Sequence, residues 1–248
     1  MSSKNYFNLC NEVLQELFYE KVDTFEELSD ITEGEKVKQM LNDSLLYICN
    51  NENTPWRFRD ADVLMPLVSG IKEYNNVNGY IDYIRYVDTP IVLKYDLYHK
   101  YNPINMVGMP LRYWIDEGKI KFDFTPDDNQ NNRLLCIHYV TNDFAKDECG
   151  NYKPLMTNAT DVPIIPTHHR NILKWDVCAN WRASINDAKA AYYRSKYKEA
   201  YRALLSDEMK SDDYPNILDI MAPSVDSNDA ILRAFDLPQT RYNIRRLK

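Results

Sequence analysis

Glycine is scarce in this chain of 248 residues: there are 6. So little glycine leaves little room for loops whose bare backbone cradles a phosphate. No Gly-x-Gly-x-x-Gly, P-loop, Gly-x-Ser-x-Gly or His-Glu-x-x-His pattern occurs. No apolar run approaches the roughly 20 residues of a membrane span. The start, Met1 to Phe7, lacks the apolar stretch of a signal peptide, so synthesis in a cytoplasm without export is expected. Cysteine is sparse and dispersed (Cys10, Cys49, Cys136, Cys149, Cys178); an odd, unpaired set reads as reduced thiols and not as a disulfide framework. Positive charge is also in deficit. A net charge of -7 argues against a protein whose main task is to grip DNA, because phosphate binding needs clustered Lys and Arg.

What is present is an ordinary globular composition, 44% hydrophobic and 27% charged, enough for one core or one core with a smaller annex. The 19 tyrosines suit contact surfaces, since Tyr is large, amphipathic and enriched at interfaces. Four zones follow from the patterning. In 1–55, Leu9, Val13, Leu14, Leu17 and Phe18, then Val37, Met40, Leu41, Leu45 and Ile48, recur at helical spacing and predict an antiparallel helix pair. Asp23 to Leu28 and Thr32 to Gly34 carry capping and turn chemistry between them. In 56–165, Ile81, Tyr83 and Ile91 to Leu93 have strand-forming side chains. Glu117-Gly118 joins Leu111–Ile115 to the strictly alternating Lys119–Phe124 as a hairpin, and Leu134–Val140 follows a polar turn at Asp127 to Asn132. A small antiparallel sheet is expected.

In 166–206, Pro163 and Pro166 precede Thr167 as N-cap, and one unbroken helix of about 40 residues, about 60 Å long, is predicted. Its first part carries the stripe Leu173, Val177, Trp181, Ile185, Ala188, Tyr192, and its second part Ala190, Tyr193, Tyr197, Tyr201, Leu204. The stripes point to opposite sides, which predicts two packing partners, the chain's own bundle and a neighbouring subunit. The zone 207–248 begins acidic and ends basic, with short apolar patches at Ile217-Leu218 and Ile231-Leu232 and with Arg241, Tyr242, Arg245 and Arg246 near its end. It reads as an arm ordered by a partner. The fold class expected is α+β: a helical bundle of two N-terminal helices and one long C-terminal helix, an inserted small antiparallel β domain and an extended C-terminal tail.

Catalytic and metal chemistry find little support. Cys136 and His138 share one predicted strand, and with Cys149 they still lack a fourth ligand at zinc-like spacing. Adjacent residues on an α-helix point about 100° apart, which weighs against His168 and His169 chelating one ion. Asp127-Asp128 and Asp212-Asp213 sit in turn-like contexts and read as solvated. Tyr192 to Arg202 interleaves aromatics with cations, a pattern that can stack on and neutralise a nucleic-acid strand. Structural packing is the favoured reading, because Arg194, Lys198 and Arg202 share a face that Lys189 and Lys196 do not. No catalytic residue, cofactor or metal is expected.

Several linked features resemble the head-to-tail adaptor of short-tailed phages, the tail tubular protein A-like connector family. Asn53-Thr54-Pro55-Trp56-Arg57-Phe58 is similar to the tryptophan-bearing junction after that family's second helix. Gly108-Met109-Pro110-Leu111-Arg112-Tyr113-Trp114 resembles its Gly-x-Pro-x-x-Tyr lead into a hairpin, which Phe124-Thr125-Pro126 closes. Asp161 to Pro166 resembles the proline-flanked lead into the long helix, and Lys189 to Leu205 the Ala- and Tyr-bearing segment that ends it. The resemblance spans roughly Asn8 to Leu205; the tail after Ser206 has no counterpart in it. The Asn- and Tyr-rich composition fits an AT-rich phage genome such as that of a crAss-like phage.

The resemblance implies a virion structural protein, not an enzyme, forming a ring of about twelve copies whose rotation closes. Such a ring sits at the neck beneath the portal, extends the DNA channel and meets the next tail or neck protein. Its expected partners are other copies, the portal, that next protein, and genomic DNA passing without specific binding; no membrane is involved. Subunit and portal contacts are expected at Tyr193, Tyr197, Tyr201, Leu204, Ile217, Leu218, Ile231, Leu232, Arg241, Tyr242, Arg245 and Arg246. The alternatives are a ring stacked further from the portal and a nucleic-acid-binding accessory protein.

Overall fold

A computed structural model describes residues 4–50, 54, 56–96 and 106–209, without the side chain of Met209. The chain divides into two compact units. One is built from Met1–Phe58 and Phe144–Lys248, the other from Arg59–Asp143.

The first unit holds five helices: α1 (Tyr6–Glu16), α2 (Phe25–Asp30), α3 (Thr32–Cys49), α4 (Asn171–Ser184) and α5 (Ala190–Met209). Helix α1 starts where the Asn5 side chain accepts from the Asn8 N–H, satisfying one of the unpaired donors at a helix start. It buries Leu9, Val13, Leu14 and the following Leu17, whereas Phe18 leaves the stripe at φ 69° and is exposed. The capping chemistry at Asp23 to Leu28 makes a helix of its own: Thr24 accepts from Glu27 N–H while Glu27 reaches back to the Thr24 N–H, a capping box. The expected helix pair is therefore three helices. Helix α3 buries Val37, Leu41, Leu45 and Ile48 completely, each worth about 1.5–3 kcal/mol relative to exposure. Gly34 is required where α2 meets α3, since a Cβ there would stand 2.2 Å from the Leu28 carbonyl oxygen.

The predicted single long helix is instead an α4–α5 hairpin. Asn186 turns at φ 54°, a conformation Asn tolerates better than most residues. Asp187 then closes one helix and starts the next: its N–H donates to Arg182 O at 2.9 Å, and its carboxylate accepts from Lys189 N–H at 2.9 Å and from Arg182 Nη1 at 2.9 Å. These local bonds compete with helix continuation. The reversal also removes the need for two partners. Leu173, Val177 and Trp181 of α4 and Tyr193 and Leu204 of α5 lie in one core with α1 and α3.

The second unit is a seven-stranded sheet in the order β1-β9-β3-β4-β6-β7-β2. Its strands are β1 (Asp60–Pro66), β2 (Glu73–Asn75), β3 (Gly79–Tyr86), β4 (Val92–Tyr95), β6 (Arg112–Asp116), β7 (Lys119–Phe122) and β9 (Leu134–Thr141). Short strands β5 (Met106–Val107) and β8 (Phe124–Thr125) pair separately in parallel. The expected hairpin is β6–β7, with Tyr113 opposite Phe122 and Ile115 opposite Ile120. Glu117 and Gly118 both have positive φ at its turn, 50° and 73°, which matches the twist of the flanking strands. The buried Asp123 holds the hairpin's base, accepting from the N–H groups of Leu111, Arg112 and Phe124 at 3.0–3.1 Å. Ile81, Ile84, Tyr86, Leu93, Ile120, Phe122, Leu135 and Ile137 are buried within this unit.

The fold-class expectation is thus corrected. The chain is a mixed α/β protein with a large sheet and five helices, not a helical bundle carrying a small β insert. The sheet is not purely antiparallel either, because β4 and β6 pair in parallel.

A smaller three-stranded sheet, β10 (Ala145–Lys146), β11 (Tyr152–Lys153) and β12 (Val162–Pro163), belongs to the helical unit. It is pinned by Asp161, whose buried carboxylate accepts from Lys153 Nζ at 2.6 Å and from the N–H groups of Thr157 and Asn158 at 2.7 Å.

Candidate interaction surface

The tyrosine segment of α5 is engaged within its own unit. Tyr193 and Leu204 are buried in the core, and Tyr197 and Tyr201 pack half-buried against it. The Tyr193 hydroxyl donates to Glu16 O at 3.2 Å, and burial together with the Glu16 carboxylate pushes its pKa up to about 12. Tyr201 meets Trp56 edge-on with centroids 5.8 Å apart. Trp56, the tryptophan of the junction motif, is itself buried and donates its indole N–H to Ile48 O at 2.7 Å. Three of the neighbouring cations are also engaged, while Lys198 and Arg202 are exposed. Arg194 reaches Asp176 at 3.3 Å and Asn180 at 2.7 Å, Lys196 faces Glu199 at 3.6 Å, and Lys189 lies over the Phe18 ring at 4.6 Å. On this stretch Tyr192, Lys198 and Arg202 stay exposed, whereas Tyr193, Tyr197 and Tyr201 are committed to packing. Ile217, Leu218, Ile231, Leu232, Arg241, Tyr242, Arg245 and Arg246 lie outside the described residues.

An apolar surface the sequence reading did not single out lies on the sheet unit. Among the described residues, strand β1 ends the sheet and pairs with β9 alone. Its centre is Val63-Leu64-Met65, with Val63 38% and Leu64 58% exposed. The register puts Leu64 opposite Cys136 and Pro66 opposite Leu134 on one face, which continues across β9 to Tyr80, Tyr83 and Arg85 of β3. Leu134 and Tyr80 on that face are exposed as well. The other end of the sheet is different. Strand β2 is three residues long, and its Glu73 is paired with Lys119 and Lys121. A short, charged edge resists pairing; a longer apolar edge invites it.

The same face carries the one polar group that could suggest chemistry. Asp62 Oδ1 stands 2.9 Å from His138 Nδ1 and 3.7 Å from Cys136 Sγ, and His138 stacks on Tyr83 with centroids 4.8 Å apart. Burial and the adjacent Asp62 carboxylate both push the Cys136 thiol above its ordinary value. A thiol held protonated is a poor nucleophile and a poor metal ligand. Cys149, the third sulfur or imidazole group considered with this pair, belongs to the helical unit. An open polar depression lies along α1, lined by Lys4, Asn8, Asn11, Glu12 and Lys21. No helix among the described residues is long and apolar enough to cross a membrane. Neither a protein-family model nor a curated protein matches this sequence.

Proposed function

We propose that this chain is a non-enzymatic virion structural protein, the subunit of an adaptor ring of about twelve copies beneath the portal of a short-tailed phage, at the neck that connects head to tail. The observation that carries the reading is the apolar edge strand β1, whose Val63, Leu64 and Met65 occupy both of its faces. A subunit that presents such an edge to a different surface of its neighbour makes a head-to-tail contact, and a head-to-tail contact closes into a ring when the rotation allows. The occupant of that edge is a second copy of this chain. Leu64 with Leu134 on one face, and Val63 and Met65 on the other, supply the apolar contact along the edge.

Two further features fit. The motifs that resemble the connector family fall at junctions where they bear on structure: Trp56 seals the core after α3, Pro110 accepts the Tyr86 hydroxyl at 2.8 Å before β6, and Asp161 holds the lead into α4. The net charge of -7 suits a channel lining, because a surface that repels phosphate lets DNA pass without sticking.

The test is the native mass of the purified chain, alone and mixed with the portal protein encoded in the same genome. The reading expects a ring-sized gain on the portal, near one copy per portal subunit. A ring that forms without portal affinity would place the chain further down the neck or tail. Neither ring nor portal complex, together with steeply salt-dependent DNA binding, would replace this reading with the nucleic-acid one.

A further inference from the structure

The turn before α4 and the last turn of α5, 38 residues apart in sequence, bring two imidazoles onto one carboxylate. His168 and His169 do not stand on an α-helix. They close a 3-10 turn, Thr167–His169, and their rings are 4.0 Å apart between centroids. His169 is buried, with Nε2 2.9 Å from Asp207 Oδ2; His168 is 67% exposed, with Nε2 3.6 Å from the same oxygen. The three ligand atoms lie within 4.8 Å of one another, and no other group of three or more His, Cys, Asp or Glu side chains converges this way among the described residues.

Hydrogen bonding accounts for only half of this arrangement. Asp207 accepts from His169, but 3.6 Å is too long for a bond to His168, so no direct bond to Asp207 holds the second ring. A metal ion would account for both. Two ligands bound to tetrahedral zinc at about 2.0–2.1 Å stand about 3.3 Å apart, and the observed 2.9 and 3.6 Å bracket that separation. Two imidazole nitrogens and one carboxylate oxygen are a donor set that zinc takes, with a fourth position left for water. The C-terminal end of α5 favours a cation, the start of α4 opposes it, and the carboxylate tips the balance.

We propose that His168, His169 and Asp207 are the protein ligands of a Zn2+ ion that clamps the last turn of α5 to the turn before α4. The neighbouring Glu208 already pins the same turn, accepting from the Arg57 and Phe58 N–H groups at 2.7 and 3.2 Å. The ion would complete that anchorage beside the point where the chain continues into 210–248. This inference stands on the cluster's geometry and does not depend on the adaptor reading.

Full-length protein stripped with a chelator is titrated with Co2+, whose four-coordinate complexes absorb in the visible. One equivalent should give that absorption, and Zn2+ should bleach it. His168→Gln changes an exposed side chain and leaves the core alone; it should weaken Co2+ binding by more than about tenfold, as should Asp207→Asn, with circular dichroism unchanged. Zn2+ should raise the Tm of the unaltered protein and not that of His168→Gln. No absorption at one equivalent would overturn the proposal. So would binding that survives both substitutions but is lost in His138→Gln, which would move the metal to the sheet.

Discussion

The helical unit and the sheet unit treat their apolar residues in opposite ways. Among the described residues, thirteen large hydrophobic side chains are exposed on the sheet unit against five on the helical unit, although the helical unit is the larger. The helices close a core that runs from Tyr6 to Leu204 and turn Tyr6 and Tyr193 into it. The sheet leaves Leu64, Tyr80 and Leu134 facing outward. Isolated exposed hydrophobics need no explanation, but Leu64 and Leu134 stand together where β1 ends the sheet. The difference separates the parts: one unit buries most of its large apolar side chains, and the other leaves many of them at its surface.

The contrast yields predictions that differ in size. The largest effect belongs to the helical core. Leu41→Ala should cost about 2–5 kcal/mol in urea unfolding, because Leu41 is fully buried, while the folded fraction assembles normally. A loss below about 1 kcal/mol would mean the core is looser than described.

Asp161→Asn should come next, at about 1–3 kcal/mol. Burial raises the Asp161 pKa, but the Lys153 ammonium and the N–H groups of Asn158 and Thr157 outweigh it and hold it below the ordinary 3.8. A carboxylate with a lowered folded-state pKa stabilises above its unfolded value and loses that contribution as pH falls through the folded one. The gap in stability between wild type and Asp161→Asn should therefore be full near neutrality and shrink below about pH 4; a gap that widens on acidification would contradict the assignment.

Asn186→Val should cost about 1–2 kcal/mol, since a β-branched residue resists the left-handed turn between α4 and α5. Were the segment one continuous helix, the same change would be nearly neutral, so the thermal midpoint of this variant distinguishes hairpin from rod. The smallest stability effect, within about 0.5 kcal/mol, belongs to Leu64→Lys on the exposed edge. That variant should nonetheless lose assembly, because a lysine on an edge strand blocks pairing.

Much of this architecture is legible in the sequence, and the misses have physical causes. The stripes of α1 and α3 and the β6–β7 hairpin were readable because each is encoded locally, by spacing or by the Glu117-Gly118 turn. Helix α2 was visible as capping chemistry, but six residues are too few to show a period. The α4–α5 break did leave a trace. The apolar stripe jumped to the opposite side near Ile185, and Asn186-Asp187 is the chemistry of a turn; reading one helix with two faces was the wrong resolution of that jump. The size of the sheet was not readable, since the β4–β6 pairing joins strands across 97–105 and no local signal announces it. Strand β1 escaped because Val63-Leu64-Met65 is a short apolar run without alternation. An edge exposed on both faces has no buried side to set a period. Adjacent residues point apart on a 3-10 turn as on an α-helix, so spacing alone gives no sign that Asp207 meets both His168 and His169.

Truncation should follow the same boundaries. A cut after Ser206 would remove Asp207 and Glu208, which hold His169 and the Arg57–Phe58 turn. A cut after Met209 removes only 210–248, and it is the cleaner test of whether that segment docks on the portal.

The most direct test of the central claim is the native mass of the wild-type chain and of Leu64→Lys, each mixed with the portal from the same genome. The account predicts a ring-sized increment on the portal for the wild type and, for the equally folded variant, loss of that closed ring. A variant that assembles as the wild type does would contradict the role given to the β1 edge, and a wild type that adds no mass to the portal would contradict the adaptor itself.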